Sequence, residues 1–120
     1  MLVIEDNERN RYLVTFLLER KGYTVVSATD GRQALDLVQT ITPALILLDI
    51  KLPVMDGYAV ARALRAQPKL IAIPIVAVTS YAMSGDREKA LAAGCNGYIE
   101  KPIDPVSFVS EIERFLPEAD

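Results

Sequence analysis

Leu45-Ile46-Leu47-Leu48-Asp49-Ile50-Lys51-Leu52-Pro53 is the stretch on which the fold turns. Four apolar residues in a row, without polar alternation, describe a strand buried on both faces, as in the interior of a parallel sheet. Asp49 then stands where an apolar run ends, and an ionisable group in that position is not an ordinary surface charge.

Working outward, four further runs rich in Val and Ile resemble this one: Leu2–Glu5, Thr24–Ala28, Ile75–Thr79 and Gly97–Glu100. Segments of helical spacing separate them. In the first, Asn7 is a candidate N-cap, Leu13, Phe16 and Leu17 form an apolar face, and Gly22 closes the helix. The second runs from about Gly31 to Ile41 with Ala34, Leu35 and Val38 inward, and Pro43 stops it. The third covers Tyr58 to Ala66, the fourth Ser84 to Ala93 with Gly94 as terminator. The fifth starts near Pro105 and packs Val109, Ile112 and Leu116. Strands and helices in strict alternation imply an α/β fold, a doubly wound parallel sheet with helices on both faces. Right-handed crossovers bring the carboxyl ends of the strands to one edge, and a site belongs there.

A chain of 120 residues fits one compact domain, spanning 1–120. No repeat, linker or low-complexity tract divides it, so the expectation is a switch without an attached output domain. The net charge of −3 argues against a general affinity for nucleic acid or anionic membrane. Cys95 is the only cysteine, so no internal disulfide forms, which fits a cytoplasmic location. Apolar runs such as Ala44–Leu48 are far too short to span a bilayer, and no leader pattern opens the chain. The absence of histidine removes Ser–His and Cys–His nucleophile pairs and imidazole metal sites. A metal here has to be held by oxygen, which favours a hard cation such as Mg²⁺.

The residues at the strand ends carry the chemistry. Glu5 and Asp6 close the first strand and Asp49 the third. Three carboxylates in one pocket repel one another by several kcal/mol unless compensated, about the size of close like-charge pairs in a partly buried site. A divalent cation removes that cost. The plainer reading of Glu5 and Asp6 is a pair of negative charges favouring the first helix's N-terminus. Lys101, before Pro102, has the reach to pair with Asp49 or with a phosphoryl oxygen; by itself it reads rather as a solvated lysine before a turn proline. Thr79 ends the fourth strand and offers a hydroxyl, although Thr is common in strands anyway. Tyr98, within the fifth strand, has the pattern of a half-buried core aromatic. Taken together, metal ligands, a nucleophile and two groups able to neutralise a phosphoryl group occupy four strand ends, and phosphoryl transfer needs little more.

Over essentially its whole length the chain resembles the response-regulator receiver domains of two-component signalling. The resemblance rests on Ile4-Glu5-Asp6-Asn7, on Leu47-Leu48-Asp49-Ile50-Lys51-Leu52-Pro53 with Met55-Asp56-Gly57, and on Val76-Ala77-Val78-Thr79-Ser80. It continues in Ala93-Gly94-Cys95 and Tyr98-Ile99-Glu100-Lys101-Pro102. It implies a five-stranded flavodoxin-like sheet in the order 2-1-3-4-5, with Asp49 as phosphoacceptor. By the same resemblance Glu5, Asp6, Asp49 and the backbone carbonyl of Lys51 bind Mg²⁺. Thr79 becomes the switch hydroxyl, Tyr98 the rotating aromatic and Lys101 the phosphate-pairing lysine in a cis Lys–Pro bond. The acidic pair is Glu-Asp rather than Asp-Asp, so Glu5 is expected to act directly or through a bound water. Strand one is short, as in a chain trimmed from a longer parent. Lys51 and Tyr81 flank the phosphoryl position, and their bulk is expected to hinder attacking water. Ala82-Met83 and Gly85-Asp86-Arg87-Glu88 have the flavour of single-domain and hybrid-kinase receivers.

The partners implied are a sensor histidine kinase or histidine phosphotransfer protein and a downstream protein target, with no direct nucleic acid and no membrane. No enzyme is expected beyond self-phosphorylation from small donors and slow autodephosphorylation. Three rivals differ at named residues. An FMN-binding flavodoxin wants a phosphate-cradling loop after strand one, where this chain has Glu5-Asp6-Asn7-Glu8. An aspartyl phosphohydrolase wants an acid two residues past its nucleophile, where this chain has Lys51. A receiver reduced to partner binding lacks the full set of acids, hydroxyl and lysine found here.

Overall fold

The computed structural model describes residues 1–79 and 85–116. Ser80, Tyr81, Ala82, Met83 and Ser84, which carry part of the resemblance and the expected start of the fourth helix, lie outside the described residues.

Five strands, β1 (Leu2–Ile4), β2 (Val26–Ala28), β3 (Ile46–Asp49), β4 (Ile75–Thr79) and β5 (Gly97–Glu100), pair in parallel in the order β2-β1-β3-β4-β5. The helices are α1 (Glu8–Arg20), α2 (Gly31–Leu37), α3 (Gly57–Arg65), α4 (Asp86–Ala92) and α5 (Phe108–Glu113), with a 3-10 turn at Pro68–Leu70. Side chains alternate across a pleated strand, and each face here has its own core. Leu2, Ile4, Ile46, Leu48, Ile75 and Ala77 pack beneath α2, α3 and α4 through Ala34, Val60, Leu64 and Ala90. Val3, Leu47, Val76 and Val78 pack beneath α1 and α5 through Val14, Leu18, Phe108 and Ile112. This two-sided burial is why β3 reads as an uninterrupted apolar run.

Side-chain caps start the first three helices. Asn7 accepts from the Asn10 N–H, Asp30 from that of Gln33 and Asp56 from that of Ala59, each satisfying an amide that a helix start leaves orphaned. Asp56 and Gly57 thus begin α3 immediately after the loop that follows Asp49. Gly57 is required there: a Cβ would lie 2.4 Å from Ile50 Cα and 2.7 Å from the Asp49 carbonyl oxygen.

The structure corrects the expected inner face of α1. Val14 and Leu18 are buried, Leu13 and Leu17 are half-buried, and Phe16 is exposed. Apolar residues at 13, 14, 16, 17 and 18 leave the helix phase open, and contact with Val3 and Leu47 selects Val14 and Leu18. Phe16 instead stacks on Tyr12, centroids 6.3 Å apart, with the Arg20 guanidinium over its ring. α2 ends at Leu37 rather than Ile41, because Gln39 and Thr40 donate to carbonyls three residues back and tighten the last turn. β2 begins at Val26 rather than Thr24, and α5 at Phe108 rather than Pro105, since residues 105–107 form a turn. The third helix lies where its spacing placed it.

Candidate functional site

Four strand ends meet at the carboxyl edge. Asp49 is the last residue of β3 and Thr79 the last of β4; Glu5 and Lys101 follow β1 and β5 directly. Glu5, Asp49 and Thr79 are buried, whereas Asp6 is exposed. Strand alternation sorts these groups. Glu5, Asp49 and Lys101 share the parity of Val3, Leu47 and Ile99 on the α1/α5 side, while Thr79 and Tyr98 share that of Ala77 on the other side.

One carboxylate oxygen from each of Glu5, Asp6 and Asp49 lies within 4.8 Å of the others. Lys101 Nζ donates to Glu5 Oε1 at 2.7 Å and to Asp49 Oδ2 at 3.4 Å. Among the described residues, this one ammonium is paired with two of the three acids. Burial, and next the adjoining Asp49 carboxylate, push the Glu5 carboxyl above its ordinary range, while Lys101 pulls it down. Burial would lower the Lys101 ammonium, but its bond to Glu5 and the charge of Asp49 outweigh that and hold it above the usual lysine value. Glu5 Oε2 is buried with no hydrogen-bond partner among the described residues. A buried carboxylate oxygen left unmatched costs roughly 1–3 kcal/mol. The donor set is all oxygen, partly open to solvent through Asp6, and fits a hard divalent cation.

The surrounding backbone holds the lysine and the aspartate in place. The Lys101 N–H donates to the Thr79 carbonyl at 2.7 Å, tying the end of β5 to that of β4. The Lys101–Pro102 peptide is cis, as the resemblance implied. The Lys51 N–H donates to Asp49 Oδ1 at 3.1 Å, so the loop after β3 orients the carboxylate it follows. Thr79 borders a cleft with Lys51, Leu52, Tyr58 and Asp86. Tyr98 is half-buried, as its pattern suggested, and packs on the α2–α4 side. Its phenol is raised above the ordinary value by burial and then by the negative charges of Asp86 and Glu100.

The sequence reading missed two groups beside this edge. Arg11, one turn into α1, donates through one guanidinium nitrogen to the carbonyls of Glu5 and Asp6. The signal was a basic residue one turn past an acidic pair, which has many other uses on a helix. Tyr58, at the start of α3, donates to Asp86 of α4 at 3.4 Å; nothing local links residues 28 positions apart.

The sequence pattern of the response regulator receiver domain matches residues 1–113. The chain belongs to the response-regulator receiver domain family. It is 40% identical over 119 residues to the polar-differentiation response regulator DivK of Brucella anthropi, covering 99% of this chain and 97% of that protein. Among solved structures it is similar to the receiver domain of sensor histidine kinase PA1611 from Pseudomonas aeruginosa. That likeness has TM-score 0.87 and 38% identity, covers 95% of this chain and 93% of that one, and the PA1611 structure holds magnesium in its active-site cleft. It is also similar to the chemotaxis response regulator CheY4 of Vibrio cholerae, TM-score 0.91 and 30% identity over 96% of each chain. The receiver architecture and the strand order 2-1-3-4-5 implied by the resemblance are those observed. Receiver domains are signalling domains of two-component systems, working between a histidine kinase and a downstream target. No helix among the described residues is long and apolar enough to cross a membrane.

Proposed function

We propose that residues 1–120 form one receiver domain that accepts a phosphoryl group on Asp49 and switches the surface of α4, β5 and α5. The observation that carries this reading is the convergence of Glu5, Asp6, Asp49 and Lys101 at one sheet edge, with Glu5 Oε2 buried and without a hydrogen-bond partner among the described residues. Glu5, Asp6, Asp49 and the Lys51 carbonyl would hold Mg²⁺, whose charge neutralises the acids and the oxygens of the incoming group.

The donor is a phosphohistidine on a kinase or phosphotransfer protein. It docks on the N-terminal half of α1 near Arg9, Asn10 and Leu13, a face that the exposed Tyr12 and Phe16 extend. Asp49 attacks phosphorus in line. A P–O bond forms as the P–N bond breaks, and the imidazole leaves with the electron pair and takes a proton from solvent. Lys101 leaves its carboxylate partners for the transferred oxygens, and the Thr79 hydroxyl donates to them. Drawing Thr79 toward Asp49 opens room for Tyr98 on the same face of the sheet, which biases two packings of the α4–β5–α5 surface.

The test is intact-mass and peptide mass spectrometry after incubation with acetyl phosphate and Mg²⁺. The wild-type chain should gain one phosphoryl group at Asp49, and Asp49→Asn none. Equal phosphate at the same residue in both proteins rules the assignment out.

A further inference from the structure

Glu5 and Asp6 are adjacent in sequence, yet both lend a carboxylate oxygen to the same cluster with Asp49. Consecutive residues of an extended strand point to opposite faces, so a strand that ran on straight would aim only one of them at Asp49. The chain bends at Asp6, where β1 has already ended. A bend at a strand end needs something to hold its peptide planes, because the ladder no longer does.

The neighbouring strands do not supply it. The Glu5 N–H still donates to the Ala28 carbonyl, but the amides just beyond turn elsewhere. That of Lys51, next in register on the β3 side, donates to Asp49 Oδ1, and among the described residues no strand amide donates to either carbonyl. The carbonyls of Glu5 and Asp6 instead meet one donor, the Arg11 guanidinium, at 2.9 and 3.3 Å. Arg11 stands one turn into α1, its own N–H bonded to the Asn7 carbonyl. Long side chains on a helix fold back toward its N-terminus, so Arg11 reaches the two peptides that precede the cap. Asn7, the cap itself, fixes the next link through Asn10.

From this geometry we infer that Arg11 is a positioning residue for the acidic pair, bridging two successive carbonyls so that the Glu5 and Asp6 carboxylates converge on the cation position. The inference rests on the metal-binding reading above. It concerns a group that touches no ligand and acts only through the backbone of two residues that do. Its interest is that charge and positioning make opposite predictions. A guanidinium beside a cation site repels the cation, so if charge were its only effect, removing it would tighten Mg²⁺ binding. If it holds the bend, removing it loosens binding, as loss of an outer partner of metal ligands commonly does, by about 10–100-fold.

The experiment is calorimetric titration of the metal-free full chain with Mg²⁺, in wild type and Arg11→Met, together with amide NMR of both in the absence of metal. The expected result is a Kd about 10-fold or more weaker in Arg11→Met, with shifts in the metal-free spectrum centred on Glu5, Asp6 and Asn7. An unchanged or tighter Kd in the folded variant overturns the inference. If Arg11→Met does not fold, Arg11→Gln keeps a donor but is too short to bridge both carbonyls. The same weakening is expected, and wild-type affinity there overturns it equally. A wild-type chain without Mg²⁺ affinity would instead remove the metal reading. The metal-free amide shifts would then still decide the role of Arg11, because an unperturbed bend in the variant overturns it.

Discussion

Lys101 sits closer to Glu5 than to the proposed phosphoacceptor: its Nζ is 2.7 Å from Glu5 Oε1 and 3.4 Å from Asp49 Oδ2. In this site the lysine is chiefly the counter-charge of the longer acid; its transfer onto a phosphoryl group belongs to the proposed function. Lys101→Met strands two buried carboxylates. Breaking such a pair from one side costs about 3–5 kcal/mol when fully buried. Because the site is partly open to solvent through Asp6, the metal-free protein should lose less, about 2–3 kcal/mol at neutral pH. Urea denaturation with and without Mg²⁺ measures this, and the ion should recover part of the loss. An unchanged midpoint would mean that the pair is energetically idle.

The raised Glu5 carboxyl makes stability depend on pH. Its folded value lies above the ordinary 4.5, so the folded state holds the proton more tightly than the unfolded chain does. The resulting stabilisation is complete below about 4.5 and is lost as pH rises through the elevated folded value. Metal-free protein should therefore weaken across that window, and Glu5→Gln should flatten the slope. Saturating Mg²⁺ should reverse it, because the ion binds the ionised acids, and at 100 times its Kd it adds about 2.7 kcal/mol. Thermal melts over a pH series read all three. A slope that survives Glu5→Gln unchanged would assign it to another group.

Val54, in the loop that follows Asp49, has φ 72°, and the Met55 N–H donates to the Pro53 carbonyl across it at 2.7 Å. A β-branched residue at positive φ in so tight a turn stores about 1–3 kcal/mol. The residue is 85% exposed, so little packing is lost by removing its side chain. Val54→Gly should stabilise the fold by about 1 kcal/mol after allowing for the extra freedom of glycine when unfolded. Chemical denaturation tests it; a loss of stability would show that the loop carries no such strain.

Gly57 is the reverse case. An alanine Cβ would meet backbone atoms of Ile50 and Asp49, which cannot rotate away as a side chain can. Gly57→Ala should cost about 3 kcal/mol and weaken Mg²⁺ binding as well, since the displaced backbone carries Asp49. A variant with wild-type melting and wild-type titration would contradict this.

Much of the fold was legible because its signals are local. Two-sided burial writes Leu45–Leu48 and Ile75–Val78 as unbroken apolar runs, and caps such as Asn7 announce themselves before a helix. The inner face of α1 was not legible. Five apolar residues crowd positions 13 to 18, and only contact with Val3, Leu47 and α5 chooses Val14 and Leu18. Phe108, buried at 1%, was passed over for a similar reason. It begins α5 after a turn, and helical spacing counted from Pro105 does not single it out.

What the sequence determined by itself is the inventory of the site and its order along the chain: acids at the end of the first strand, Asp49 ending the third, Thr79 ending the fourth, Lys101 after the fifth. Only the tertiary structure decided who meets whom. It gave Lys101 chiefly to Glu5, left Glu5 Oε2 without a hydrogen-bond partner among the described residues and laid Arg11 across two carbonyls. The physical reason is range. Strand and helix periodicity arise from neighbours a few residues apart, whereas a carboxylate and an ammonium 96 positions apart are brought together by sheet register and crossover handedness, which no single segment encodes.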